Sequence, residues 1–196
     1  MSIPAEPSLA RTAIFHLLFT GYVGRGVAST VSFVRDGASL VVVDPGMAPN
    51  RAAILDPLAA LGVAPDAITD VIFSHHHPDH TLNAALFPNA RFHDHWAIYQ
   101  GDSWQSRPAE GFQVSPAIRL IETPGHSPQD ITTLVGTADE IVACTHLWWH
   151  AAGPADDPFS TDPTALHTQR ERVLGLATLI VPGHGAPFRP DATTPR

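Results

Sequence analysis

Cysteine is almost missing from this chain: Cys144 stands alone among 196 residues, so no internal disulfide can staple the fold. That scarcity predicts a reducing, cytoplasmic home. Charge is sparse too. Only 15% of residues are charged and the net charge is -8, with no basic run able to displace counterions from a phosphate backbone. A nucleic-acid partner is therefore not expected, although bound metal ions can reverse the field locally. No apolar run approaches the ~20 residues that cross a bilayer. The N-terminus has no basic flank leading into a long apolar stretch, so neither a membrane partner nor a signal peptide is expected. Linkers, repeats and low-complexity tracts are absent as well. What remains, with hydrophobic residues at 44%, reads as one globular domain over residues 1–196, a monomer or a homodimer.

Apolar segments bounded by turns predict strands at Ile14–Thr20, Ser29–Val34, Leu40–Val43, Val71–Phe73 and Ala90–Phe92. The second half adds Ile118–Ile121, Ile131–Val135, Ile141–Ala143 and Leu179–Val181. A helix is predicted over Asn50–Leu61, stopped by Gly62 and kinked at Pro57, and a short one over Thr81–Leu86. Asp162-Pro163 is a helix start, with Leu166, Arg170, Val173, Leu174 and Ala177 following at helical spacing. Strand runs followed by a helix occur twice, which predicts two sheets packed face to face with helices outside.

Histidine is abundant, at twelve residues, and its placement matters more than its number. After the strand at Val71–Phe73 comes Ser74-His75-His76-His77-Pro78-Asp79-His80. Residues i and i+2 of extended chain point the same way, so His75 and His77 can grip one ion together. Asp79 and His80, beyond the turn at Pro78, can face a second ion. Imidazole nitrogen with carboxylate oxygen suits catalytic zinc, and also iron or manganese. Two further histidines, His126 in Thr123-Pro124-Gly125-His126 and His184 in Pro182-Gly183-His184-Gly185, each leave a strand through a Pro-Gly turn. Glycine there allows close backbone approach and positive φ.

The spacing of His75, His77, Asp79 and His80 resembles the HxHxDH signature of the metallo-β-lactamase superfamily, and the two Pro-Gly-His turns resemble its later metal motifs. Motif order is closest to the glyoxalase-II-like branch. The resemblance runs from about Leu40 to Phe188. It implies an α/β (α+β) fold, the four-layer αββα sandwich, with one or two Zn2+ ions per chain. His75, His77 and His126 would hold the first ion; Asp79, His80 and His184 would hold the second. It further implies hydrolysis of a small-molecule ester-, thioester-, lactone- or lactam-like substrate by a metal-bound hydroxide, with Asp79 orienting it or moving a proton. Phosphodiester or RNA cleavage is the alternative within the same fold. Asp44, closing the Leu40–Val43 strand, resembles the family's strand-end aspartate that supports a ligand.

One position departs from the pattern. Where the family carries a bridging aspartate, Ala143-Cys144-Thr145-His146 puts His146. A carboxylate bridges two cations and cancels charge, whereas a neutral imidazole ligates one and cancels none. Three outcomes follow: His146 ligates the second ion alone, the second site weakens, or hydrolysis is lost and a metal-dependent binder remains. Cys144 shares a face with His146 and reads as packing first, ligand second. His76 is expected to point away from the ions, and His93 and His95 to lie near the pocket rim. Trp148-Trp149 reads equally as core or as pocket wall. His150 follows that pair and shares its reading, and His16 and His167 carry no signal.

Overall fold

Apolar runs along short strands, whose successive residues face opposite sides of a sheet, determine the layering. The computed structural model describes residues 8–196. Its first half runs β1 (Ile14–Phe19), β2 (Tyr22–Val23), β3 (Val27–Ala28), β4 (Val31–Asp36), β5 (Ser39–Val43), α1 (Ala52–Ala60), β6 (Asp70–Ile72) and α2 (Pro78–Thr81). Next come β7 (Arg91–His93), β8 (Ala97–Gln100) and β9 (Ser103–Ser106). The second half holds β10 (Gln113–Ser115), β11 (Ile118–Glu122), β12 (Ile131–Gly136), β13 (Ile141–Cys144), α3 (Pro163–Leu174) and β14 (Leu179–Val181). Seven strands pair in the order β1-β4-β5-β6-β7-β8-β9, five in the order β10-β11-β12-β13-β14, and β2 with β3 forms a separate hairpin.

In β5, Val41 and Val43 face the second sheet, where they meet Leu120, Val135, Val142 and Val181. Val42 points the other way, onto Ile54 and Leu58 of α1. The second sheet mirrors this. Ile121, Leu134, Ala143 and Ile180 turn outward onto Leu166 and Val173 of α3. Sheets buried on both faces read as continuous apolar runs, and each fully buried Val, Leu or Ile contributes ~1.5–3 kcal/mol. The result is the αββα sandwich expected from the sequence. Among the described residues no helix is long and apolar enough to cross a membrane.

Caps fix the start of α3 and the end of α1. The Asp162 carboxylate accepts the Ala165 N–H at 2.9 Å, with Pro163 in the first turn. Helix α1 passes through Pro57 without a break and ends in a Schellman pattern. There Gly62, at φ 72°, donates to Ala59 O, and Val63 donates to Leu58 O.

Three expectations need correction. The helix expected over Thr81–Leu86 is a single α-turn, α2, followed by a 3₁₀ turn at Ala84–Leu86. Asn83 interrupts it, because its backbone N–H bonds Pro45 O and its side chain bonds Gly46 O. Ser29 and Thr30 lie outside β4, since their hydroxyls donate to Asp44 O and Gly185 O instead. The third concerns β2, β3, β8, β9 and β10, which no strand pattern announced; β9 is exposed along its whole length.

Candidate metal centre

Strand direction alone gathers the chemistry. β5 runs parallel to β6, and β13 parallel to β14, while β11 is antiparallel to β12 and β12 to β13. Within each sheet the strands that precede site residues therefore end at one edge. Asp44 follows β5, the His75–His80 stretch follows β6, His126 follows β11, His146 follows β13 and His184 follows β14. The two sheet edges are tied together there: Ile131 N–H donates to Ser74 O, and Thr30 N–H donates to Gly183 O.

Three imidazoles form the first group. His75 Nε2 lies 3.0 Å from His77 Nδ1, which lies 3.1 Å from His126 Nε2. One proton at His77 Nδ1 can serve only one of its two neighbours, so lone pairs are left facing each other. The outer nitrogens are engaged. His126 Nδ1 bonds the Asp157 carboxylate at 2.7 Å, and His75 Nδ1 meets Ser74 Oγ at 3.0 Å. A carboxylate on Nδ1 fixes the tautomer that leaves Nε2 unprotonated.

Asp79, His80 and His184 form the second group. Asp79 Oδ2 is 3.4 Å from His80 Nε2 and 3.5 Å from His184 Nε2. His184 Nδ1 donates to Ala28 O at 2.9 Å, and His80 Nδ1 meets Asp44 Oδ2 at 2.9 Å. Asp44 sits at φ 52°, a left-handed conformation unfavourable for a non-glycine residue. It is held there because its other oxygen accepts the Ser74 N–H at 2.7 Å.

His146 stands between the groups. Its Nε2 is 3.1 Å from His184 Nε2, and its ring centre is 4.2 Å from that of His126 and 4.6 Å from that of His75. Gly183 makes the space: a Cβ there would lie 2.4 Å from His146 Cδ2. Close approach, not positive φ, is what the glycine supplies at this turn.

Electrostatics and dimensions both fit a cation. Burial, reinforced by the surrounding imidazoles, holds His75 and His146 well below the usual histidine range, so they are neutral and free to ligate. Burial likewise lowers His77 and His184. It also acts on His80, but the charge and hydrogen bond of Asp44, with Asp79 beyond, outweigh it and raise that imidazole. The field around His80 thus favours positive charge, whether a proton or a metal ion. His80 Nε2 and His146 Nδ1 are buried with no hydrogen-bond partner. Ligand atoms bound at zinc's ~2.0–2.1 Å in a tetrahedron lie ~3.3 Å from one another, close to the separations inside each group.

The groups form the floor of a pocket of about 350 Å³, walled by Val23 and Val27 of the β2–β3 hairpin and by Trp149 and Phe159. The Trp pair divides its labour: Trp148 is fully buried in the outer core, while Trp149 lines the pocket. Cys144 belongs to the core between the sheets, where burial pushes its thiol up to about 12, and it joins none of the ligand groups. His76 points away, as expected, and meets Asp94 at 3.0 Å. His93 is bound to Asp70 inside the sheet rather than lying at the pocket rim. Asp157 and the hairpin escaped sequence reasoning. The one available signal for Asp157 was its place in the Asp-rich, Pro-rich stretch before Asp162.

Fold and floor together define a class: an αββα sandwich with a cluster of histidines able to hold metal ions at the edge of its two sheets. Comparison makes the assignment specific. A family model described as the metallo-beta-lactamase superfamily matches residues 24–186, and the chain belongs to that superfamily. It is similar to human metallo-beta-lactamase domain-containing protein 1, with 37% identity over 158 residues covering 76% of this chain and 59% of the relative. The chain thus spans about 60% of the length of the mammalian relatives it matches. A Thermotoga maritima structure classed with the metallo-beta-lactamases superposes with a TM-score of 0.72 at 23% identity, covering 92% of this chain and 100% of that one. A quorum-quenching N-acyl homoserine lactone lactonase superposes with a TM-score of 0.65 at 18% identity, covering 90% and 93%.

Proposed function

We propose that the protein is a metal-dependent hydrolase of a neutral ester-like substrate: a thioester, lactone, lactam or simple ester. The observation that carries this reading is the pair of ligand groups at the floor of an apolar-walled pocket. His75, His77 and His126 would hold one divalent ion, and Asp79, His80 and His184 a second, with His146 ligating beside His184. Zinc suits this donor set best, and iron or manganese accept the same atoms. Such ions supply Lewis acidity, which polarises a carbonyl and draws the pKa of a water towards ~7.

The remaining work falls to the chain. Trp149, Phe159, Val23 and Val27 bind the apolar part of the substrate and exclude water. Asp79 is at once ligand and proton carrier, since its side chain reaches the pocket. Among the described residues no arginine lines the pocket and the chain has no lysine at all, so the lining itself offers a phosphodiester no protein cation. The lone buried thiol of Cys144 fits a reducing cytoplasm.

Replacing His77 and His126 together by alanine is expected to remove metal and activity at once. The test is elemental analysis alongside turnover of thioesters, lactones, a chromogenic lactam and bis-p-nitrophenyl phosphate. Full turnover by the double variant sinks the proposal. A second reading rests on His146: with an imidazole where a bridging carboxylate would stand, the centre binds its ligand without cleaving it. Metal uptake with no turnover on the whole panel favours that reading.

A further inference from the structure

One carboxylate touches both the floor of the pocket and its wall. Asp157 lies in the connection between β13 and α3 and is only 7% exposed. Its Oδ2 accepts from His126 Nδ1 at 2.7 Å and from the Trp149 indole N–H at 3.1 Å. Its Oδ1 accepts the Phe159 backbone N–H at 2.9 Å. Trp149 and Phe159 then stack, with ring centres 5.7 Å apart and planes 10° from parallel. Phe159 is 68% exposed, so little apart from this stacking and its backbone bond to Asp157 keeps it over the pocket.

The same segment grips the turn that carries His126. Ser160 Oγ donates to Gly125 O at 2.7 Å, and the Thr161 N–H is shared between Gly125 O and His126 O at 3.1 and 3.2 Å. At its other end the segment is fixed to α3 by the fully buried Arg170, which donates to Leu147 O, Pro154 O and Ala155 O. Wall and ligand turn are therefore one mechanical unit, and Asp157 is its joint. An acceptor on Nδ1 both orients a ligating imidazole and raises the basicity of Nε2; losing such a partner typically weakens metal binding ~10–100-fold. Here the same loss would release Trp149 and Phe159. Coupling of this kind is reciprocal: whatever orders His126 also orders the wall, and the converse.

We propose that Asp157 is a positioning residue that makes ion binding at His126 and the shape of the substrate-binding wall a single property. The inference rests on the reading above that His126 is a metal ligand. The test measures Zn2+ affinity, by competition with a chromophoric chelator, in the full chain and in D157A, D157N and W149F. The difference in tryptophan emission between Zn2+-loaded and chelated protein is read in wild type, D157A and D157N. D157A is expected to bind one Zn2+ ~10–100-fold more weakly and to lose the emission difference. D157N keeps one oxygen for His126 and Trp149 but turns its NH2 towards the Phe159 N–H, and is expected to recover most of the affinity and only part of the emission difference. W149F removes one bond to Asp157 while keeping an aromatic ring, and is expected to weaken Zn2+ two- to fivefold. It carries the test alone if D157A does not fold. Zn2+ affinity within a factor of two of wild type in both D157A and W149F overturns the proposal, as does an undiminished emission difference in D157A. A wild-type chain that takes up no Zn2+, Fe2+ or Mn2+ overturns the metal-centre reading as well, whereas normal uptake with unaffected variants overturns this inference alone.

Discussion

His146 governs how much positive charge the floor of the pocket can hold. Two divalent ions, one in each candidate group, would bring four positive charges, and within the two groups only Asp79 is anionic. An imidazole adds a lone pair but no charge, whereas a carboxylate adds a negative charge and two oxygens able to face both groups. Two like charges a few ångströms apart repel strongly wherever water is excluded. In H146D, therefore, the second ion is expected to bind at least ~10-fold more tightly, while the first changes little. Native mass spectrometry of protein titrated with Zn2+ reads this directly. An unchanged second step would mean that His146 does not stand between the ions. The surrounding backbone is already cut to fit the ring: Gly183 has no Cβ because His146 Cδ2 occupies its place.

At the scale of elements, the connection from β13 to α3 is held by Arg170 as well as by the buried Leu147 and Trp148. Its guanidinium reaches three backbone carbonyls, at 2.8, 2.6 and 2.8 Å, and lies over the Trp148 ring with Cζ 5.6 Å from the ring centre. Methionine at 170 would keep much of the stem but leave those carbonyls without a donor. Unsatisfied buried acceptors cost ~1–3 kcal/mol each, so R170M is expected to lose ~3 kcal/mol or more in chemical denaturation. A loss below ~1 kcal/mol would show that water replaces the guanidinium freely. The same segment marks where the sequence stopped being legible. The candidate ligands of the central cluster were visible because i, i+2 spacing and a preceding apolar strand are local signals. Caps at Asp162 and Gly62 were visible for the same reason. Asp157 was not, because it meets His126 across 31 residues, from a loop with no periodicity. Strand β9 was hidden because an edge strand needs no buried face: Ser103–Ser106 is exposed throughout and, among the described residues, pairs only with β8. The short helix after His80 was misread because Asn83 answers to the loop at Pro45–Gly46, a tertiary contact that propensity does not record.

Across the whole molecule, burying so many imidazoles makes stability depend on pH in a definite direction. Burial holds His75, His77, His93, His146 and His184 below their ordinary value of 6.5. For each, the unfolded chain takes up a proton below about pH 6.5 that the folded chain refuses, so stability is full above that pH and falls as pH drops through it. Two groups act the other way. His80 is raised, so its contribution is present below pH 6.5 and fades as pH rises. Asp130 is pushed up to about 6 by burial, against the bonds it accepts from Ser127, and it stabilises the folded chain as pH falls from 6 towards 3.8. Five groups against two set the sign. With a chelator present, the melting temperature is expected to drop by about 5–10 °C between pH 7 and pH 5, a few kcal/mol for a domain of this size. Scanning calorimetry in matched ionic strength measures it. Zn2+ should steepen the dependence, because an ion that binds only neutral imidazoles adds its own binding free energy above the pH at which they protonate. A melting temperature that is flat or rises towards pH 5 in the chelated protein would mean that the histidine floor is wet and protonates in place. In that case the groups that fit a metal ion would not be the closed, neutral set that the fold builds at the edge of its two sheets.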